Sequence, residues 1–145
     1  MEFASHIPFV VAQGFELLRF ADGESEIGLT MRPDQTNSFN VLHGGVAMTM
    51  LDVAMAHAAR SPVAGRPHDP RGVVTVEMKT SFVRPGIGRV TAHGRVLHRS
   101  ANLAFCEASL LDGGGTLVAH ATGTFKYLRA LPVGGRQLNA LNASD

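Results

Sequence analysis

Asp52 is the residue that most calls for a chemical explanation, because it lies in a stretch that is otherwise almost entirely apolar. The stretch 44–60 predicts one long helix, on which the neighbours of Asp52 at three and four positions are Met48, Thr49, Met55 and Ala56. A carboxylate is rarely buried without a partner. Desolvation would raise its pKa toward that of a general base near neutral pH. Asp52 is therefore a candidate catalytic carboxylate, and a solvated aspartate or a structural hydrogen-bond acceptor is the alternative.

The segment before this helix carries groups that can polarise a carbonyl. His43-Gly44-Gly45 stands at the predicted helix start, where backbone N–H groups are unpaired and carry partial positive charge. Glycine lets a ligand approach the backbone closely, so the Gly44 N–H is a candidate donor to a developing oxyanion. Asn37 offers an amide donor for the same atom. Taken singly, the glycines fit an ordinary helix entry and Asn37 fits an ordinary turn.

These residues together indicate attack on an activated carbonyl. Asn37 and Gly44 supply two donors for a carbonyl oxygen, and Asp52 supplies one base for water. The G-x-S-x-G pattern of a serine nucleophile is absent from the sequence. Water, or the carboxylate itself, is then the expected nucleophile, and a thioester is a carbonyl of suitable reactivity.

Composition excludes several classes of partner. The 145 residues are 45% hydrophobic and 17% charged, with a net charge of +1, so we expect one globular domain with no nucleic-acid or membrane partner. The single Cys106 is expected to be a core residue in a reducing compartment. The histidines show no zinc spacing, so no metal and no cofactor are expected. No signal peptide is visible, which favours the cytoplasm.

Periodicity predicts the elements that must position the candidate residues. A short helix at 6–12 precedes a hairpin of strands 15–20 and 24–31, and the buried helix 44–60 follows. The remaining sequence predicts the strands 73–83, 88–98, 102–111 and 116–128. Antiparallel strands curled around one helix make an α+β structure. We expect a single domain over 1–128 and a poorly ordered C-terminal extension over 129–145.

The sequence from Asn37 to Asp52 resembles the N-x-x-G-x-x-H-G-G…D signature of the PaaI-like (phenylacetic acid degradation type) hotdog-fold thioesterases. The stretch 74–85 looks like the third strand of that family, and the strand order is similar over roughly 12–128. The resemblance implies a hotdog fold, in which an antiparallel sheet wraps one long central helix. Asn40 departs from the signature, which commonly has glycine there, but asparagine tolerates left-handed backbone angles.

The resemblance also implies an activity and an assembly. It implies hydrolysis of an acyl-CoA by a homodimer with interfacial active sites, often paired into a tetramer. The Gly44 N–H and Asn37 would hold the thioester oxygen, and Asp52 of the opposing subunit would act as general base or nucleophile. Thr75 would assist that carboxylate, and His43 would mainly shape the loop.

Binding of the CoA arm is expected to involve donors to phosphate. The candidate substrate-binding residues are Gly45, Arg84, Arg99, Ser100 and Asn102. For each arginine a solvated surface charge is the alternative, and the identity of the acyl group is left open.

Two other functions remain possible at this point. Asp52 and His57 have the D-x4-H spacing of the MaoC-like hydratases, although those carry the motif on a loop rather than within a helix. A non-catalytic acyl-CoA binding module is the other alternative. Release of free thiol from an acyl-CoA distinguishes a thioesterase from both.

Overall fold

The structure, a computed structural model, describes residues 1–131 and 133–139. Two helices and six strands lie in the order α1 (Pro8–Gln13), β1 (Glu16–Ala21), β2 (Glu24–Thr30), α2 (Gly44–Arg60), β3 (Gly72–Phe82), β4 (Arg89–Arg99), β5 (Leu103–Asp112) and β6 (Leu117–Leu128), with a 3-10 turn at Pro33–Gln35 between β2 and α2. The predicted bounds of the long helix are confirmed at both ends.

The six strands form one antiparallel sheet in the order β1-β2-β4-β5-β6-β3. Helix α2 packs across this sheet, and Met50, Leu51, Ala54 and Met55 are fully enclosed between the two. The approach is closest at Gly94, where a Cβ atom would lie 2.5 Å from the carbonyl oxygen of Ala54, so any side chain there would separate helix from sheet. The predicted α+β architecture, an antiparallel sheet around one central helix, is confirmed.

One stripe of α2 is not covered by the sheet. Gly45, Met48, Thr49, Asp52 and Ala56 recur at helical spacing and are all at least partly exposed. Met48 keeps 36% of its surface accessible. The prediction of a helix buried on most sides therefore holds except along the stripe that carries Asp52.

Strand β3 departs from the predicted alternation. The sequence predicts Val76 and Met78 on one side and Thr75 and Glu77 on the other. The pairing of β3 with β6 slips by one residue between Thr75 and Glu77, so Val76 forms a β-bulge. The bulge reverses the alternation, and Thr75 and Met78 both face the groove that contains Asp52. The prediction that the apolar residues of this strand all lie on one side was wrong, and Val76 is 57% exposed.

The segment after β6 returns toward the start of β3. Ala130 forms an isolated bridge with Gln137, and the side chain of Leu138 lies over Gly72. The predicted disorder of 129–145 stays a prediction, and its positions 132 and 140–145 lie outside the described residues. In the described part of the chain, no helix is both long and apolar enough to cross a bilayer.

Candidate active site

Asp52 and Thr75 meet in the groove between α2 and β3. The Thr75 hydroxyl donates a 2.6 Å hydrogen bond to Oδ1 of Asp52, and Oδ2 has no hydrogen-bond partner among the described residues. The two side chains line a shallow cavity of about 250 Å³ together with Met48, Thr49 and Met78. Burial raises the pKa of the Asp52 carboxyl above its usual value, and the hydrogen bond from Thr75 partly opposes that rise. The predicted contact between Asp52 and Thr75 is present.

The start of α2 presents one free backbone donor. His43 is the N-cap, and its Nδ1 accepts a 2.8 Å hydrogen bond from the Gly45 N–H. The Gly44 N–H donates to no acceptor in the described part of the chain, so it remains available at the positive end of the helix dipole. Gly45 has its N–H committed to the cap and can offer a ligand only close access to the backbone. His43 thus caps the helix, and its predicted role in shaping the loop stays a prediction.

Asn37 organises the loop that precedes the helix. Its Oδ1 accepts hydrogen bonds from the N–H groups of Phe39 at 2.9 Å and Val41 at 3.4 Å. The oxygen is therefore used as in an ordinary turn, while the Nδ2 donor has no partner among the described residues. Asn40 adopts a left-handed φ of 58°, which fits the expectation that asparagine replaces the glycine of the signature without loss of the turn.

The two ends of the candidate site do not converge within one chain. Asp52 follows Gly44 by eight residues on the same helix, which separates them by about 12 Å along the axis. A carbonyl oxygen bonded to the Gly44 N–H is therefore out of reach of the Asp52 carboxylate of the same chain. Either these residues act separately, or two chains supply one site.

The predicted CoA contacts are only partly free to bind a ligand. Arg99 points inward: its Nη2 donates to the carbonyl oxygens of Ala58 and Ala59 at 3.1 and 3.2 Å, so this arginine caps the C-terminal end of α2. Ser100 closes the β4–β5 turn by accepting from the Leu103 N–H at 3.1 Å. Arg99 is thus held in part: Nη2 caps α2 and Nε donates to the Tyr127 hydroxyl at 3.2 Å, while Nη1 has no hydrogen-bond partner among the described residues.

The other two predicted CoA contacts are exposed. Asn102 lies in the same β4–β5 turn. Arg84 lies beyond the end of β3, where its Nη1 donates to the carbonyl oxygen of Leu117 at 3.1 Å. Three further basic residues, Arg66, His68 and Arg71, were not singled out from the sequence. The sequence feature that could have drawn attention to them is that all three lie close together in the proline-rich loop 61–71.

Two other groups considered from the sequence lie away from the groove. His57 is 4% exposed, packs against Phe3 with a ring-centroid distance of 5.0 Å, and has its pKa lowered by burial to about 4. Cys106 is buried, and burial raises the pKa of its thiol to about 12, so it is a core residue rather than a nucleophile.

Comparison with known proteins gives the family of the chain. The sequence model of the Thioesterase superfamily matches residues 39–119, which is more than half of the chain. A conserved protein of known structure from Pseudomonas aeruginosa is 30% identical; the match covers 86% of this chain and 97% of that one, with a TM-score of 0.78. A mutant of the phenylacetic acid degradation protein PaaI from Thermus thermophilus is 27% identical, covers 84% and 100% of the two chains, and has a TM-score of 0.73.

A relative with a named activity is the medium/long-chain acyl-CoA thioesterase YigI of Salmonella typhimurium. It is 28% identical over 136 residues, which cover 85% of this chain and 87% of that protein. The chain belongs to the Thioesterase superfamily, and its resemblance to the PaaI-like hotdog thioesterases is confirmed.

Proposed function

We propose that the protein is an acyl-CoA thioesterase, with Asp52 as its general base or nucleophile. The observation that carries this proposal is the hydrogen bond between Thr75 and Asp52 inside an open groove. A carboxylate whose pKa is raised by burial is a better base near neutral pH than a solvated one. Family membership supports the reaction class.

In the general-base form, Asp52 Oδ2 removes a proton from water as the water oxygen attacks the thioester carbon. The carbonyl oxygen becomes an oxyanion, which the Gly44 N–H and the Asn37 Nδ2 stabilise. Collapse of this intermediate breaks the C–S bond, and the leaving CoA thiolate takes the proton back from Asp52. In the nucleophilic form, Asp52 attacks the carbon itself, the C–S bond breaks and the CoA thiolate leaves and is protonated by solvent; water then hydrolyses the mixed anhydride to the free acid and restores the Asp52 carboxylate.

The reaction requires two chains, since Gly44 and Asp52 of one chain lie too far apart. A twofold pair with antiparallel α2 helices would bring the partner subunit's Gly44 beside this chain's Asp52, with Met48 near the axis. Strand β3 supports such a pair, because it is an edge of the sheet and exposes Val76 and Phe82 at 57% each. Long apolar edges are usually covered. A tetramer of two such dimers is the further expectation from the resemblance.

The register of the proposed dimer follows from contacts within one chain. Phe82 packs close to Gly44, with a ring carbon 3.3 Å from where a Cβ of Gly44 would lie. Thr75 bonds to Asp52. If Gly44 faces the partner subunit's Asp52, then Phe82 must lie near the partner subunit's Thr75. The two β3 strands would then cross the twofold axis close to Met78 and Lys79.

The hydratase alternative is disfavoured by the position of His57. Its ring is enclosed against Phe3 and Phe20, and its Nδ1 lies 2.8 Å from the carbonyl oxygen of Val53. Asp52 lies beside Thr75 in the groove between α2 and β3. Their D-x4-H spacing therefore does not bring the two side chains to one substrate atom.

The test is thiol release from a panel of acyl-CoAs, including phenylacetyl, hydroxybenzoyl, short and medium straight chains, and crotonyl followed separately for hydration. We expect hydrolysis by the wild type and a loss of roughly 10²–10⁴-fold in Asp52→Asn. Asp34→Asn, which changes an exposed aspartate of the 3-10 turn, is the matched control and should keep full rate. Full activity in Asp52→Asn would overturn the mechanism, and CoA-ester binding without hydrolysis would indicate a binding module.

A further inference from the structure

A second cavity lies at the C-terminal end of α2, where its wall includes Ala59, seven residues after Asp52. Its volume is about 380 Å³, and the loop 61–71 forms much of its wall. Its charged and titratable lining residues are Arg66, His68, Asp69, Arg71 and Arg99. Three arginines against one carboxylate make this corner strongly basic in a protein whose net charge is only +1.

The arginines of this cavity differ in how far they are already committed. Arg71 is held by Asp69 through Nε at 3.1 Å and Nη2 at 2.9 Å, and it stacks on Tyr127 at 4.2 Å from the ring centroid. Arg99 caps the carbonyl groups at the end of α2. Nη1 of Arg99 has no hydrogen-bond partner among the described residues. The guanidinium of Arg66 makes no ion pair or side-chain hydrogen bond with those residues at all, so of the three it has the most donors available for a ligand.

The backbone beneath Arg66 is a fixed turn rather than a free loop. Ala64 and Gly65 have left-handed φ angles of 45° and 78°, and the Arg66 N–H donates to the Val63 carbonyl oxygen at 2.8 Å. These are the features of a tight two-residue hairpin turn. The turn therefore fixes the backbone of Arg66 at the wall of the cavity.

Two independent paths give the distance from this cavity to the catalytic carboxylate. Along α2, the cavity wall at Ala59 lies seven residues from Asp52, which is about 10 Å. Along β3, Arg71 lies four residues before Thr75, which is about 13 Å. Pantetheine has a backbone as long as four to five residues and spans roughly 14–16 Å when extended. A thioester held at Asp52 can therefore place its first phosphates in the cavity.

We propose that this cavity binds the pyrophosphate of the CoA moiety, with the Arg66 guanidinium as its principal charge-assisted donor. The proposal rests on the proposed thioesterase function for the identity of the ligand. Arg71 and Arg99 supply positive charge from fixed positions, because arginine pairs well with phosphate and stays ionised. In this arrangement the loop 61–71 recognises the nucleotide end of the substrate, and the acyl end is bound at a separate place.

The experiment compares Arg66→Gln with the wild type on three thioesters of the same acyl group: the CoA ester, the dephospho-CoA ester and the pantetheine ester. We expect KM for the first two to rise roughly fivefold to tenfold with kcat unchanged, the signature of lost substrate binding. The pantetheine ester, which lacks the pyrophosphate, should show no change. Arg95→Gln, on an exposed arginine paired with Glu107 on the sheet, is the matched control and should behave as wild type.

Each contrary result has a distinct meaning. An unchanged KM for both phosphorylated esters would overturn the site, and so would an equal loss with the pantetheine ester, which would indicate a structural effect. Loss with the CoA ester alone would move the contact to the 3′-phosphate and overturn the pyrophosphate assignment. If the wild type hydrolyses no thioester, the proposed function fails. Calorimetric binding of CoA, weakened in Arg66→Gln but not in Arg95→Gln, then still tests the cavity.

Discussion

Replacement of Thr75 by valine tests how the groove sets the protonation of Asp52. The variant keeps the shape of the side chain and removes the 2.6 Å hydrogen bond to the carboxylate. That bond favours the ionised form of Asp52 and holds its pKa down against the effect of burial. Its loss must therefore raise the pKa of Asp52 further, and the base becomes protonated at a higher pH.

The size of the effect follows from the strength of the bond. A hydrogen bond to a charged group contributes about 1.5–3 kcal/mol, and we discount this to about 1 kcal/mol because Thr75 is exposed and solvent screens the pair. Since about 1.4 kcal/mol corresponds to one pH unit, the acid limb of kcat/KM should move upward by roughly 0.7 pH unit. The assay is the pH profile of thiol release from one good acyl-CoA substrate.

Thr75→Ser is the matched control, because serine retains the hydroxyl and should retain the wild-type profile. An acid limb that stays in place in Thr75→Val would refute the reasoning, since Asp52 would then not be the titrating base or Thr75 would not bond to it in solution. An equal shift in Thr75→Ser would show that the methyl group, rather than the hydrogen bond, is responsible.

Three further outcomes are expected. Burial raises the pKa of Asp52, so folding opposes its ionisation. At pH values above the pKa that Asp52 has in the folded protein, Asp52→Asn should therefore have a higher free energy of unfolding than the wild type. Urea denaturation that shows a lower free energy of unfolding for the variant at neutral pH would contradict this. The pKa of His57 is lowered to about 4, so the wild type should lose about 3 kcal/mol of stability as pH falls from about 6.5 to 4, a loss that His57→Phe should not show. At the proposed twofold axis, Met78→Cys or Lys79→Cys should form an intersubunit disulfide that reductant cleaves; a dimer that forms neither would refute the register.

The sequence by itself determined the framework of the molecule. The helix Gly44–Arg60 was readable in full, because its start is marked by His43-Gly44-Gly45 and its interior is almost continuously apolar. Asp52 stood out for the same reason, since a carboxylate on such a helix needs an explanation. Even the separation of Gly44 from Asp52 follows from residue spacing, because the rise of an α-helix is constant.

Only the tertiary structure decided which side chains complete these features. Thr75 reaches Asp52 because a bulge at Val76 reverses the alternation of β3, and period-two reasoning cannot locate a bulge. Arg99 turns inward because the carbonyl groups at the end of α2 come to lie beside it. Arg66 becomes a candidate phosphate-binding residue because Arg71 is held by Asp69 and Arg99 is partly held by the end of α2. Except for the pair of Arg71 with Asp69, the deciding partners are distant in sequence, and local pattern carries no information about which groups the fold brings into contact.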